Sequence, residues 1–321
     1  MISHAIQSIL LNATLAADPS QHVYDHPFRI GHDGRWMWSG NMGNLVLSGI
    51  ILIVVGLYVA SKVKTGPESQ GTDRYVTKGR FAHMIEVICV YMRDDVVKPL
   101  LHDRTSTYMP ILWTFFFFIL VNNLLGLLPI MDVVHLLNKD WAEAHITPIG
   151  GTATQNIWVT GALAILACIV FNVAAIARLG IGGYLKHLTG GAPLIVAPLI
   201  FVLEFAGQIL IKPIALALRL FANMTAGHIL LATLLGFFSI WNVESVGAPI
   251  KGGVSIIAFF AAMAIFFLEL FVAFLQAFIF TFLVAVFISL MDHHDDHSHE
   301  HSEHGHDHGH AHAHGHEHAH A

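Results

Sequence analysis

Long apolar runs separated by short polar breaks dominate this chain. The first run, Leu45 to Ala60, reaches spanning length with its flanks and predicts a membrane helix over 44–64, since about 20 apolar residues cross a hydrocarbon core. The polar stretch from Lys62 to Arg80, with Gly66, Pro67 and Gly71, reads as a loop. Residues 81–101 interrupt their apolar positions with Glu86, Arg93, Asp94, Asp95 and Lys98, and predict an amphipathic helix lying on the membrane. Residues 109–131 (YMPILWTFFFFILVNNLLGLLPI) predict a crossing, with the Phe run 115–118 as lipid-facing bulk. A polar connection over 132–154 leads to another crossing at 155–178, and a Gly-rich turn at 179–190 follows. The next two runs, 191–240 and 253–291, are about twice the length of a simple span and predict long helices that tilt strongly. The pattern predicts an all-α, polytopic membrane protein: about five crossings, an amphipathic surface helix, and two long tilted helices at the end.

Composition sharpens this reading. Of 321 residues, 55% are hydrophobic and 12% charged, half the charge of an average soluble domain. That excludes a disordered chain and argues against a soluble globule. The net charge of −6 is uneven, because residues 292–321 hold 14 of the 24 His and seven acids with no Lys or Arg. No basic run offers a nucleic-acid site, and no Walker-type phosphate loop or other cofactor signature occurs. Cys89 and Cys168 lie in different apolar runs and read as small buried hydrophobes. Residues 1–43 form a mixed polar segment without the pattern of a cleaved signal, and Trp36 and Trp38 suit a membrane interface.

Basic residues orient the chain. Ten lie in or beside the 62–105 and 179–190 loops, from Lys62 to Arg104 plus Arg178 and Lys186; Arg29, Arg35, Lys139 and Lys251 lie on the other side. The excess predicts an N-terminus outside and, over five crossings, a cytoplasmic C-terminus.

Lys212 and Arg219 fall inside an apolar run, where a central cation costs at least about 2.5–3.5 kcal/mol and is a functional candidate by default. Lys212 to Arg219 is seven residues, roughly 20° short of two helical turns, and Asn223 is four further on, so the three share a stripe. His228, nine beyond Arg219, falls on the opposite face about 13 Å along the axis. Glu269 and Gln276, again seven apart, share a stripe of the last helix. A His228–Glu269 couple in a wet crevice is a candidate proton relay. Arginine stays charged and cannot relay a proton, but it can attract a passing carboxylate and hold it ionised.

The segments LALRLFANMTAGHILL and FLELFVAFLQAFIF resemble subunit a of F-type ATP synthases, the membrane stator beside a rotating c-ring, and NNLLGLLP at 122–129 is similar to that family's second-crossing motif. The resemblance runs over about 81–291. It implies that Arg219 faces the c-ring carboxylate, with Asn223 and Gln276 as its polar neighbours. It implies that His228 and Glu269 line an outer proton half-channel, here with the His first, where some bacterial members have the acid first. Gly126 stands where some members carry Asp. Glu204 lies eight before Lys212, where the family pattern has seven, and remains only a candidate inner-channel group. Asn123 is a candidate for the channel or for a helix contact. The function implied is two offset proton half-channels coupled to rotation and ATP synthesis. The partners implied are the c-ring, b-type peripheral stalk subunits, the rest of the complex, and lipid. The chain would have no catalytic site of its own and no cofactor.

Blander readings stand beside these. Arg219 could snorkel, His228 and Glu269 could simply pack or bond between helices, Asn223 and Gln276 could glue helices, and Lys212 could reach for the interface. The low-complexity tail 292–321 is expected to be unstructured. It could bind divalent metal through His293, His294, His297 and His299, collect protons, or be a dispensable solvated end. A metal carrier with such a tail is a competing class, but it needs ligand clusters within the spans. A membrane scaffold, a third class, would need neither Arg219 nor Glu269.

Overall fold

The computed structural model describes residues 27–30, 36–63, 77, 79–128, 130, 148–189, 193, 195–237 and 247–290. The tail 292–321, with His293, His294, His297 and His299, and most of the segment 1–43 lie outside the described residues. The chain enters through a two-stranded antiparallel ribbon, β1 (Pro27–Ile30) and β2 (Trp36–Ser39). Helix α1 (Gly40–Lys62) follows directly. Ser39 caps it, its hydroxyl accepting from the Met42 N–H at 3.3 Å, which satisfies one of the free donors of the first turn.

A second helical run covers Arg80–Leu127 and divides into α2 (Arg80–Tyr91), a π-helical segment (Met92–Val97), α3 (Lys98–Leu101), a 3-10 turn (His102–Arg104) and α4 (Thr105–Leu127). His102 carries the break, with φ 45°, which parts the charged stretch from the apolar one. After a short 3-10 turn (Ala153–Gln155), α5 (Ile157–Leu188) starts on the Asn156 cap and kinks at Gly180, where φ is 68°. Helix α6 (Ala197–Ala206) passes through a π-helical segment (Gly207–Ile211) into α7 (Lys212–Gly236). Helix α8 (Ala248–Leu290) is unbroken over 43 residues. At 1.5 Å per residue it measures about 65 Å, twice a hydrocarbon core of about 30 Å, so it must tilt or project from the bilayer.

Among the described residues, five helical stretches are long and apolar enough to cross a membrane: Gly40–Lys62, Arg80–Leu127, Ile157–Leu188, Ala197–Gly236 and Ala248–Leu290. This is an all-α polytopic membrane protein. Its outer faces are covered with large exposed apolar side chains on α1, α5 and α8, among them Leu57, Trp158 and Ile257, a surface that a water-soluble monomer would not keep.

The interior is built by α4 running along α8, with α7 packed on both α5 and α8. Met109, Leu112, Phe115, Phe116 and Ile119 of α4 meet Phe171 of α5, Leu216 and Leu220 of α7, and Phe280, Val284 and Ile288 of α8. Phe115 tilts against Phe280 at 5.6 Å, and Phe116 meets Phe274 edge-on at 5.6 Å. The reading of the Phe run as lipid-facing bulk is therefore corrected: Phe115 and Phe116 are buried in the core, and Phe117 and Phe118 are half-buried against it. Lipid tails and a protein core are equally apolar, so hydropathy cannot tell the two faces apart. Truncating Phe116 to Ala is expected to cost about 3–5 kcal/mol and lower the detergent unfolding temperature. Leu57→Ala, on the exposed face of α1, is expected to leave that temperature nearly unchanged.

Candidate functional site

The polar side chains gather at three places. The first lies where α4 ends, α7 passes its middle and α8 brings in a carboxylate. His228, on α7, sets Nδ1 at 2.9 Å from Glu269 Oε1 of α8. The same Nδ1 meets the Met224 carbonyl at 3.0 Å, one turn earlier on α7. Neither Glu269 oxygen has an aligned hydrogen-bond donor among the described residues, so the contact with His228 is ionic rather than a directed hydrogen bond. Glu269 is 2% exposed. A carboxylate so placed needs a charged partner, because an unpaired buried charge is too costly to keep.

Gly227 makes this approach possible. A Cβ there would meet the Glu269 carboxylate, with Cδ at 2.9 Å and Cγ at 3.0 Å, so the bare backbone of α7 is the bed on which the acid lies. On the other edge of the ring, Nε2 is 3.0 Å from the Gly126 carbonyl at the end of α4 and 3.0 Å from Thr152 Oγ1. Asn123 is fully buried beside them. Its amide donates to the Ala273 carbonyl of α8 at 3.3 Å and its oxygen accepts from Thr154 Oγ1 at 2.8 Å. Gln155 donates to the Met224 carbonyl at 3.4 Å. The 152–155 segment is thus stitched to α4 and α7. The residues just before it are tied to β2, through Trp38 Nε1 to the Pro148 carbonyl at 2.8 Å, and to α1, through Asn44 to the Gly151 carbonyl.

The second place is the stripe of Arg219 and Asn223. Arg219 is exposed on α7 and makes no hydrogen bond or ion pair with any described residue. Asn223, one turn on, is also exposed, and its amide donates to Gln276 Oε1 of α8 at 2.9 Å, while Gln276 itself is buried. The stripe and its counterpart on α8 therefore meet, and Arg219 stands at the edge of that contact. His228 points to the other side of α7, into the bundle.

The third place is the junction of α6 and α7. Buried Gln208 bridges two ionisable groups: its amide donates to Glu204 Oε1 at 3.3 Å, and its oxygen accepts from Lys212 Nζ at 2.7 Å. Lys212 is half-buried and lies 4.9 Å over the Phe287 ring. The π-helical segment Gly207–Ile211 falls between Glu204 and Lys212. A π bulge takes up one extra residue without turning the flanking helices against each other. It accounts physically for Glu204 and Lys212, eight residues apart, still lying on one side of the helix. The polar line continues from the Gln208 carbonyl to Cys168 Sγ at 3.7 Å, from there to Asn172, and to Tyr184, whose hydroxyl donates to Asn172 Oδ1 at 2.6 Å.

The sequence pointed to His228, Glu269, Asn223, Gln276, Arg219, Lys212, Glu204 and Asn123. The structure joins the first two as an ion pair, the next two as a hydrogen-bonded pair, and Lys212 with Glu204 through Gln208. Sequence reasoning missed Thr152, Gly227 and Gln208. Thr152 and Gly227 carry no intrinsic charge to mark them, whereas Gln208, a polar residue in an apolar run, could have been singled out as Gln276 was. Among the described residues no group of three His, Cys, Asp or Glu is placed to hold a metal ion.

A helical membrane bundle with a buried acid–imidazole pair, an exposed arginine without a partner among the described residues and a second polar file defines a polytopic membrane protein built around ionisable groups. Comparison with known sequences narrows that class. The sequence model described as ATP synthase A chain matches residues 43–289. The ATP synthase subunit a of Myxococcus xanthus is 41% identical over 204 residues, covering 63% of this chain and 58% of that protein. That of Chloroherpeton thalassium is 38% identical over 230 residues, 72% of this chain and 59% of that one. ATP synthase subunit a 2 of Chlorobaculum tepidum is 36% identical over 230 residues, 72% of this chain and 56% of that one. The chain belongs to the ATP synthase A chain family, and spans between 56% and 59% of the length of these three relatives.

Three variants check this geometry. In a Gly227→Ala variant, a structure is expected to show the His228–Glu269 contact opened beyond 4 Å, about the limit for an ion pair. Deleting Leu210, which is exposed within the π segment, is expected to convert that segment to α-helix and leave Lys212 and Arg219 on one face. Deleting Ile214, in the regular helix, is expected to turn Arg219 by about 100° relative to Lys212, seen in a structure as the loss of their shared face.

Proposed function

We propose that this chain is the stator subunit a of an F-type ATP synthase membrane sector, carrying two offset proton half-channels and the arginine that acts on c-ring carboxylates. The observation that carries the reading is Arg219: a cation on an apolar helix, exposed, without a polar partner among the described residues. Such a charge is kept in hydrocarbon only where another charge comes to meet it. An ionisable acid on a neighbouring rotor fits, because a protonated carboxylate crosses lipid far more cheaply than an ionised one.

In this mechanism a proton enters from outside past Glu269 and His228 and neutralises a rotor carboxylate, which then moves into lipid. After nearly a full turn the carboxylate reaches the Arg219 side, and its proton leaves to the cytoplasm. Arg219 stabilises the ionised acid and blocks direct leakage between the two paths. Asn223 and Gln276, bonded to each other, shape the wall at which the rotor docks. The Glu204–Gln208–Lys212 file, offset along α6 and α7 from His228, is the exit-side candidate. Asn123 anchors α4 to α8 beside the entry pair.

The proposal carries with it the c-ring, b-type stalk subunits and the remaining complex as partners. The setting is a bacterial inner membrane, with the N-terminal segment 1–43 outside, the membrane domain over 44–291 with its last two long helices strongly tilted, and the tail 292–321 cytoplasmic. The tail is left as a divalent-metal-binding extension outside the proton path. The chain itself carries no catalytic site in this reading and needs no cofactor.

Arg219→Ala is expected to abolish ATP-driven proton pumping, a loss of at least about 100-fold for removal of a buried-interface charge, while the complex still assembles by native gel. A complex that pumps normally without the arginine sinks the proposal.

A further inference from the structure

The ring of His228 is surrounded by four polar groups, and they are not equivalent. The Met224 carbonyl, 3.0 Å from Nδ1, and the Gly126 carbonyl, 3.0 Å from Nε2, can only accept. The Glu269 carboxylate, 2.9 Å from Nδ1, is an ionic partner when the ring is protonated. Thr152 Oγ1, 3.0 Å from Nε2, is the one hydroxyl, and a hydroxyl can both accept and donate. Thr152 is 1% exposed and cannot be replaced in that role by bulk water without a rearrangement.

We propose that Thr152 is a positioning residue for His228, the group that keeps Nε2 satisfied whether or not it carries a proton. With Nε2 protonated, its N–H is shared between the Gly126 carbonyl and the Thr152 oxygen. With the proton gone, only the Thr152 O–H can donate to the bare nitrogen, and without it a buried ring nitrogen would face a carbonyl lone pair. The hydroxyl thus holds the ring against Glu269 through both halves of a proton-transfer cycle. The inference rests on the half-channel reading above, in which His228 changes its protonation state.

The surroundings fit the assignment. Gly126 lies so close to Thr152 that a Cβ on it would meet the threonine side chain, Oγ1 and Cγ2 included. A side chain at 126 and the hydroxyl at 152 therefore compete for one space. Asn44, through the Gly151 carbonyl, and Thr154, through Asn123, fix the residues on either side of Thr152.

The test uses the whole ATP synthase in inverted membranes, comparing Thr152→Val, Thr152→Ser and Arg219→Ala by ATP-driven proton pumping, with native gels for assembly. Valine keeps the shape and loses the hydroxyl; serine keeps the hydroxyl and loses a methyl. Pumping is expected to fall about tenfold or more in Thr152→Val, as for a buried polar group left unsatisfied, and to stay within about twofold of wild type in Thr152→Ser. Normal pumping in the Val variant, or a Ser variant as impaired as Val, overturns the proposal and leaves Thr152 a packing residue. Arg219→Ala separates the two levels of inference: if it pumps, the half-channel reading itself falls, whereas if it is silent and Thr152→Val pumps, only the role of Thr152 falls. Should Thr152→Val not assemble, Gly126→Ala carries the test, because its methyl competes for the space of the hydroxyl. It is expected to show the same loss, and full pumping there overturns the proposal.

Discussion

A charge inside an apolar helical bundle must be met by another charge or by dipoles, and the architecture follows from where that requirement is honoured. Glu269 is almost wholly buried, and its partner is the His228 ring 2.9 Å away on a neighbouring helix. Holding those two groups together takes α7 against α8 at close range. Close range in turn takes a residue without a side chain at Gly227, where any Cβ would strike the acid. The same requirement is left open at Arg219, which faces outward with no described partner. One helix thus presents a satisfied ionisable pair to the inside and an unsatisfied cation to the outside. That asymmetry is what the proposed stator mechanism uses.

The α6–α7 junction handles the problem differently. Glu204 and Lys212 do not touch; buried Gln208 stands between them and bonds to each. An amide can donate on one side and accept on the other, so it links an acid and a base without bringing two full charges together in a medium that solvates neither. The π segment supplies the residue that makes this bridge. π bulges are commonly found where a helix has been altered near a functional site, and this one lies between two of the ionisable groups of the membrane interior.

The loop preceding α5 turns the bundle into a site. Its tethers to β2 and the start of α1 run through Trp38 and Asn44, and its tether to α4 runs through Thr154 and Asn123. Those ties place Thr152 at the free edge of the imidazole. Helix α1 contributes little to the core and exposes much of its apolar surface, yet its first turn positions a residue that contacts the histidine.

The class of this protein was written in the order of its residues. Apolar runs of spanning length dictate helices, because a lone backbone in hydrocarbon must bond to itself. The stripe of Lys212, Arg219 and Asn223 is legible because helical periodicity depends only on spacing, and a charge in an apolar run marks itself. Glu269 and His228 could be named for the same reason. What spacing could not supply was the far side of each contact. Phe115 and Phe116 face the core and not lipid because α8 happens to lie there, and both media are equally oily. Gly126, Gly227 and Thr152 matter only through neighbours 26 or more positions away in the chain, and nothing local distinguishes a glycine that admits a carboxylate from one that merely bends. Which polar group meets which is decided by the packing of α4, α7 and α8, since hydrogen bonds and ion pairs act over about 3 Å and only the tertiary arrangement brings such atoms that close.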